Sequence, residues 1–259
     1  MSEGNRSENN IYYDGYNLNQ TQSVFRKVIT TYKSEGIKIL IKNIIIYLFY
    51  KLNYLTLNRY FNLDNHDYRY FCNLYNAVVS ERVAEISIAR RFLNEHQQDE
   101  ILEIGNVLSH YFDFPHIIID KYEKHIGIEN IDIIDYSTEK KFKAIISIST
   151  IEHIGFDEPV SENGKSLKAI RKLMELLEEG GEALITVPLG YNPEIDEIVQ
   201  REFLFSQQYF LKRISRLNLW KQTDLKDALK YKYNSIYPAG NAIAILYLKN
   251  IHSSSPNVE

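Results

Sequence analysis

Short apolar runs alternate with helical or polar connections along the chain beyond residue 100. The clearest runs are 101–105 (ILEIG), 116–120 (HIIID), 142–149 (FKAIISIS) and 182–188 (EALITVP), with a weaker, polar-interrupted run near 128–133. Strands that alternate with crossover connections form parallel sheets with right-handed crossovers. The pattern therefore predicts an α/β fold.

A helix is predicted over 166–179, where apolar residues recur at three- and four-residue steps. Ser166 is placed to cap this helix, and Gly180 to end it. Near the C-terminus, 217–225 and 241–250 are predicted to form a closing antiparallel pair.

An amphipathic pattern covers 37–55 (IKILIKNIIIYLFYKLNYL). Its unbroken apolar part, 44–50, is seven residues long, whereas a transmembrane helix needs roughly 20. Two interpretations stay open for this predicted helix. It lies in a membrane interface, with its lysines facing anionic headgroups, or it packs on its own core or on a second subunit, which is the more common case.

The pattern divides the chain into four parts. Residues 1–23 form a polar tail, and 24–95 form a helical N-terminal extension with the basic amphipathic segment and a second helix over about 76–94. Residues 96–250 form the α/β domain, and 251–259 form a second tail. No signal peptide is indicated, because the first residues lack a basic region followed by an apolar core.

Charge is unevenly distributed along the 259 residues. The net charge is −4, but the segment 24–60 has seven basic residues against one acid, which gives +6 and leaves −10 elsewhere. An acidic balance argues against a nucleic-acid partner. The single cysteine, Cys72, excludes an internal disulfide framework and a multi-cysteine metal site. We expect a cytoplasmic protein, with peripheral contact at the inner face of the membrane if 37–55 is interfacial.

Candidate chemistry lies where the predicted strands end, because open parallel sheets bind ligands outside the carboxyl ends of their strands. Glycines, acids and a histidine follow these strands: Glu103 and Gly105, Asp120, Asp132, 147–153, and 188–192. These residue types suit a ligand that contains adenosine. A dinucleotide site is disfavoured, because the Gly-x-Gly-x-x-Gly fingerprint is absent.

The series ILEIG, HIIID, IENID, FKAIISISTIEH and LLEEGGEALITVP resembles class I S-adenosylmethionine-dependent methyltransferases. EIGNVLSHY, ISISTIEHIGFDE and ITVPLGYNPEID resemble more narrowly the methyltransferase-like proteins of polysaccharide-biosynthesis gene clusters. The resemblance covers about 75–249 and implies a Rossmann-like sheet, mostly parallel, with an antiparallel C-terminal strand. It implies S-adenosylmethionine as the cofactor.

Residue roles follow from this resemblance. It implies that Glu103 and Gly105 line the methionine part of the cofactor, and that Asp120 binds the ribose. It implies that Asp132 binds the adenine amino group beside Ile133, and that 149–153, beginning with Ser149, faces the sulfonium. The alternatives are a capped strand end for Glu103 and a turn-forming aspartate for Asp120.

The first loop departs from the family pattern. Val107 and Ser109 occupy the second and third glycine positions. Either their side chains push the cofactor's carboxylate away from the loop, or Asn106 and Ser109 bind it instead. Asp120 follows Gly105 by only 15 residues, so the intervening helix must be very short or irregular.

The acceptor side is predicted around His153. Its ordinary pKa lies near neutrality, so it suits a general base that takes a hydroxyl proton; the alternative is a histidine that packs beneath the cofactor. Asp157, Tyr191 and Asn192 are predicted to contact the substrate. Their alternatives are a solvated loop acid and a turn before Pro193. No metal site is predicted.

Three functions stay open. The first is a methyltransferase that acts on a hydroxyl of a saccharide or glycolipid intermediate in surface-polysaccharide biosynthesis. The second is a non-catalytic methyltransferase-like partner in a glycan-assembly complex, which the lost glycines favour. The third is a nucleotide-sugar-binding enzyme on the same fold. A homo-oligomer is compatible with each.

Overall fold

The computed structural model describes residues 28–29, 31–73, 77–97, 100–112, 116–124, 127–201 and 204–250. The predicted tails at 1–23 and 251–259 lie outside the described residues.

The N-terminal extension contains a hairpin as well as helices. Helix α1 (Ile37–Thr56) is followed by strands β1 (Tyr60–Leu63) and β2 (His66–Arg69), and then by helix α2 (Arg82–Asn94). The two strands pair antiparallel across a turn in which Asp64 and Asn65 both have positive φ, 50° and 60°. Such turns match the twist of a hairpin. The prediction of a purely helical extension therefore missed residues 60–69.

Eight strands form the main sheet in the order β5–β4–β3–β6–β7–β10–β8–β9. Their bounds are β3 Ile101–Ile104, β4 Ile117–Ile119, β5 Ile128–Glu129, β6 Phe142–Ile148, β7 Leu177–Pro188, β8 Gln207–Arg213, β9 Trp220–Thr223 and β10 Ala242–Lys249. Strands β3 to β7 are parallel, and the C-terminal β10 runs antiparallel to β7. This confirms the predicted Rossmann-like sheet, mostly parallel with an antiparallel C-terminal strand.

The predicted C-terminal pairing is wrong. Strands β9 and β10 do not pair with each other; each pairs antiparallel with β8, which lies between them. The sequence of β8, QQYFLKR, alternates only weakly between apolar and polar residues, so the hydrophobic pattern does not predict a strand there.

The central helix begins and ends differently from the prediction. Helix α3 spans Lys165–Leu176, and its N-cap is Gly164, at φ 82°. Ser166 is not the cap; its buried hydroxyl donates to the Ile154 carbonyl at 2.9 Å. The helix ends before Gly180 because Leu177 turns to extended backbone and starts β7.

The sheet is covered on both faces. One apolar cluster contains residues of α3 and of the short helix α4 (Pro193–Ile198). The other contains residues of α2 and the hairpin, with Tyr54 of α1, packed on Ile146 and Ile243 of the sheet. The N-terminal extension thus shares a core with the α/β domain and forms one wall of it.

Candidate functional site

A cavity of about 90 Å³ lies at the carboxyl ends of β3, β4 and β6. It is lined by predicted cofactor residues from different strands, with the predicted base: Gly105, Asp120, Asp132, Ile133 and His153. Ile104, Ile119 and Ile131 add an apolar wall. The structure therefore brings these five predicted residues together at one edge of the sheet.

Gly105 allows two loops to approach each other closely. Its φ is 82°, a conformation that favours glycine. A Cβ at this position would lie 2.2 Å from the Thr150 hydroxyl oxygen. The glycine is therefore required by the loop after β6, which brings Thr150 to the cavity.

Glu103 holds the loop after β3 from beneath and does not line the cavity. Its buried carboxylate accepts the backbone N–H groups of Val107 and Leu108 at 2.9 and 2.7 Å, and lies 2.6 Å from His116 Nε2. The predicted contact with the methionine part of the cofactor is replaced by this support of the loop.

Packing and a side-chain hydrogen bond stabilise this loop without the second and third glycines of the family pattern. Val107 packs against the core shared with α2, and the Ser109 hydroxyl donates to Asn106 Oδ1. Asn106 Nδ2 is buried and has no hydrogen-bond partner among the described residues. This donor follows Gly105 in the chain, but Asn106 does not itself line the cavity.

Asp120 joins the ends of β3 and β4. It accepts the backbone N–H of Asn106 at 2.9 Å, and those of Tyr122 and Glu123 at 2.8 and 2.7 Å. A carboxylate has about four lone-pair sites, so one acceptor position remains. In the described part of the connection before it, the helical element is the 3₁₀ turn Leu108–His110, which is very short, as the spacing predicts.

Asp132 belongs to an ionic cluster with Glu158, Lys121 and Lys165, which the spacing of these residues in the sequence does not indicate. Its carboxylate lies 2.7 Å from Lys165 Nζ and 2.9 Å from Lys121 Nζ, and both lysines also contact Glu158. Burial acts to raise the pKa of Asp132, but hydrogen bonds from the lysines lower it below its usual value. The predicted adenine contact therefore competes with two lysines.

His153, Asp157 and Tyr191 meet at the mouth of this region. His153 Nδ1 bonds Asp157 Oδ2, and the Tyr191 hydroxyl donates to the same oxygen at 2.5 Å. Partial burial acts to raise the pKa of Asp157, but these two hydrogen bonds lower it. The predicted base, His153, thus contacts two residues that are predicted to bind the substrate, Asp157 and Tyr191.

Two other predicted residues turn away from the cavity. Asn192 is only 2% exposed; it caps α4 by accepting the Glu194 N–H at 2.9 Å, and its amide donates to the Glu152 carbonyl. Ser149, at φ 39°, donates to Glu85 at 2.7 Å. Neither side chain lines the cavity.

A buried acidic cluster adjoins this turn. Glu85 pairs with Arg82 at 3.3 Å, and Arg82 also donates to the Ile148 carbonyl. Glu152 is 1% exposed, and neither carboxylate oxygen has a hydrogen-bond partner among the described residues; Oε1 lies 3.6 Å from His153 Nε2. Burial raises the pKa of both Glu85 and Glu152, which are close enough to repel each other.

Comparison with known proteins gives likenesses of fold only. No family model and no curated protein matches the sequence. Among solved structures, the N-methyltransferase NodS from Bradyrhizobium japonicum with S-adenosylhomocysteine is 14% identical, with a TM-score of 0.41 over 66% of this chain and 87% of that one. A Streptococcus mutans protein with the same ligand is 17% identical, with a TM-score of 0.38 over 63% of this chain and 98% of that one. A Thermotoga maritima S-adenosylmethionine-dependent methyltransferase is 11% identical, with a TM-score of 0.40 over 65% of this chain and 90% of that one.

Proposed function

We propose that this chain is an S-adenosylmethionine-dependent methyltransferase. The observation that carries the proposal is the cavity at the carboxyl ends of β3, β4 and β6, where Gly105, Asp120 and Ile133 meet His153. In a sheet of this kind, that edge is where a ligand binds.

The residues present fit the cofactor in chemical type. Asp120 keeps an acceptor position for a ribose hydroxyl, and the isoleucines around Ile133 offer an apolar wall for the adenine ring. Asn106 Nδ2, buried and without a described partner, is a donor for the methionine carboxylate. An orphaned buried donor of this kind costs stability until it is satisfied.

On the acceptor side, His153 is the proposed general base. When bound, S-adenosylmethionine supplies an electrophilic methyl group on sulfur. Asp157 accepts the hydrogen of His153 Nδ1, which leaves Nε2 to take the proton of an acceptor hydroxyl. The methyl group that the cofactor would supply would pass to the acceptor oxygen, and His153 would hold the proton that this oxygen loses. His153 and its neighbours hold the acceptor in line.

We further propose a saccharide or glycolipid acceptor. The Tyr191 ring contacts those of His153, Phe156 and Tyr233 edge-on, with centroids 5.0, 5.7 and 4.9 Å apart. Tyr rings offer an apolar body with a polar tip, which suits the mixed surface of a sugar. A place in surface-polysaccharide biosynthesis rests on the sequence resemblance alone.

A thermal-shift comparison tests the choice of cofactor. A ligand that binds only the folded state raises the melting temperature by an amount that grows with its concentration relative to Kd. We expect S-adenosylmethionine and S-adenosylhomocysteine to raise it, and the nucleotide sugar UDP-glucose to leave it unchanged. A shift with UDP-glucose alone would overturn the proposal in favour of a nucleotide-sugar enzyme.

A second candidate, a non-catalytic methyltransferase-like partner, is favoured by one observation. The cluster of Asp132, Glu158, Lys121 and Lys165 closes the side of the cavity where adenine is expected. If the cluster stays closed, neither cofactor form binds, and the protein instead co-purifies with another enzyme.

A further inference from the structure

Helix α1 is attached to the protein by one face only. Among its residues, Asn53 and Tyr54 are buried. The Tyr54 ring stacks on Tyr70 at 4.8 Å, and the Tyr50 hydroxyl donates to the Arg216 carbonyl at 2.7 Å. At 3.6 residues per turn, residues 50, 53 and 54 share the inner side of the helix.

The opposite side of α1 is apolar and exposed. It carries large aliphatic side chains that are 44–61% exposed: Ile37, Ile41, Ile45, Leu48, Leu52 and Leu55. The amphipathic pattern is therefore inverted, because the apolar side faces outward. This excludes packing on the protein's own described core, one of the alternatives left open by the sequence. A contiguous apolar surface of this kind marks an interaction site.

Positive charge borders this apolar side. Lys38 and Lys42 follow one border and Lys51 the other, and α1 contains no acidic residue. A cavity of about 500 Å³ lies beside α1, and its lining includes four basic residues: Lys51, Arg69, Arg90 and Arg91. Among the described lining residues, Asp67 is the acidic one. The whole surface suits an anionic partner.

We propose that α1 lies in the interface of an anionic lipid bilayer, with its apolar side among the acyl chains and its lysines on the headgroup phosphates. Within the described residues, no helix has the length and apolarity needed to cross a bilayer. A second copy of the chain fits less well, because a two-fold contact through this side would bring the lysine borders of both copies together.

Vesicle flotation of the full-length protein tests the apolar part of the proposal. We expect binding to vesicles of phosphatidylcholine with phosphatidylglycerol, and not to phosphatidylcholine alone. Ile45→Ser with Leu48→Ser and Leu52→Ser should lower binding at least roughly tenfold. The matched control changes equally exposed apolar residues elsewhere, Val160→Ser with Ile214→Ser and Ile236→Ser, and should bind like the unmodified chain.

A second pair of variants tests the charge. The triple variant Lys38→Gln with Lys42→Gln and Lys51→Gln should lower binding to the anionic vesicles roughly 100-fold, because each lysine near such a surface strengthens binding about fivefold. The control removes the same charge from the exposed residues Lys221, Lys226 and Lys249, and should retain binding.

Three results would overturn the proposal. The first is equal binding by the α1 variants and their controls. The second is equal binding of the unmodified chain to neutral and anionic vesicles. The third is a dimer, seen by analytical ultracentrifugation without lipid, that the three serine substitutions in α1 dissociate. None of these outcomes depends on methyl transfer, so the proposal stands apart from the proposed catalytic function.

Discussion

At the scale of single residues, the candidate site is defined by which polar side chains line the cavity and which are hydrogen-bonded to the protein's own backbone. Asp120 and His153 were predicted from their positions after strands, and both line the cavity. Glu103 and Asn192 were predicted on the same reasoning, but their side chains hold the local backbone. The position of a residue in the sequence predicts which strand end it follows. The direction of its side chain depends on the backbone geometry of the loop, which residue spacing alone does not predict.

Glu152 allows a test of the buried acidic cluster. Burial raises its pKa above the usual 4.5, so the folded protein holds its proton at pH values where the unfolded chain has lost it. Stability therefore falls as the pH rises from about 4.5 towards the raised pKa. Glu152→Gln should raise the unfolding free energy by about 1–3 kcal/mol at pH 8 and change it little near pH 4.

Denaturant unfolding of the two proteins at both pH values checks this prediction. The control is Glu162→Gln, at an exposed acid, which should alter stability little at either pH. A Glu152→Gln variant that is less stable than the unmodified chain at pH 8 would show that this carboxylate has a partner or ligand.

Asp157 allows a test of the proposed base. Its carboxylate accepts from His153 Nδ1, so it is a positioning residue that fixes the orientation of the ring. Asp157→Asn should lower kcat by roughly 10²-fold and leave the KM for S-adenosylmethionine within about twofold of its original value. Tyr191→Phe, which removes the other hydrogen bond to Asp157, should lower kcat less. An unchanged kcat in Asp157→Asn would contradict the assignment of His153.

At the scale of elements, continuous apolar runs were sufficient to predict the buried strands. β3, β4, β6 and most of β7 lie where these runs lie. The hairpin β1–β2 and strand β8 were missed because their exposed positions carry polar residues in irregular order. Edge and surface strands depend on pairing partners far along the chain, so local periodicity identifies them poorly.

Asn218, in the connection between β8 and β9, joins the turn that precedes α2 to the first residue of β9. It is fully buried; its amide donates to the carbonyls of Val78 and Ser80 at 3.1 and 2.7 Å, and its oxygen accepts from Trp220 Nε1. Asn218→Ala leaves these groups unsatisfied and should cost about 3 kcal/mol of unfolding free energy.

The matched control for this variant is Asn234→Ala. Asn234 has a similar φ, 55° against 56°, but it is exposed. Both variants carry the same left-handed backbone cost, and Asn234→Ala also loses the exposed hydrogen bond from the Ala239 N–H. The difference in unfolding free energy between the two variants therefore reports the buried hydrogen bonds of Asn218. Equal destabilisation of the two variants would contradict the role given to Asn218.

At the scale of the whole molecule, the N-terminal extension completes the fold. Tyr54, the hairpin and α2 share one core with the sheet, while the apolar side of α1 stays exposed. Amphipathicity predicted the helix, but it could not determine which side faces the protein, because the side that packs inward is held by tyrosine hydroxyls and ring stacking. The same limit applies to the ionic cluster, whose members are separated by up to 44 residues.

The central claim is that the cavity between β3, β4 and β6 binds S-adenosylmethionine, and calorimetric titration with S-adenosylhomocysteine tests it most directly. We predict one site per chain, with binding weakened at least roughly tenfold in Asp120→Asn, which loses the charged acceptor for the ribose. Asp135→Asn, at an exposed acid that does not line the cavity, should bind like the unmodified protein. Absence of binding in the unmodified protein, or equal binding in Asp120→Asn, would contradict the account.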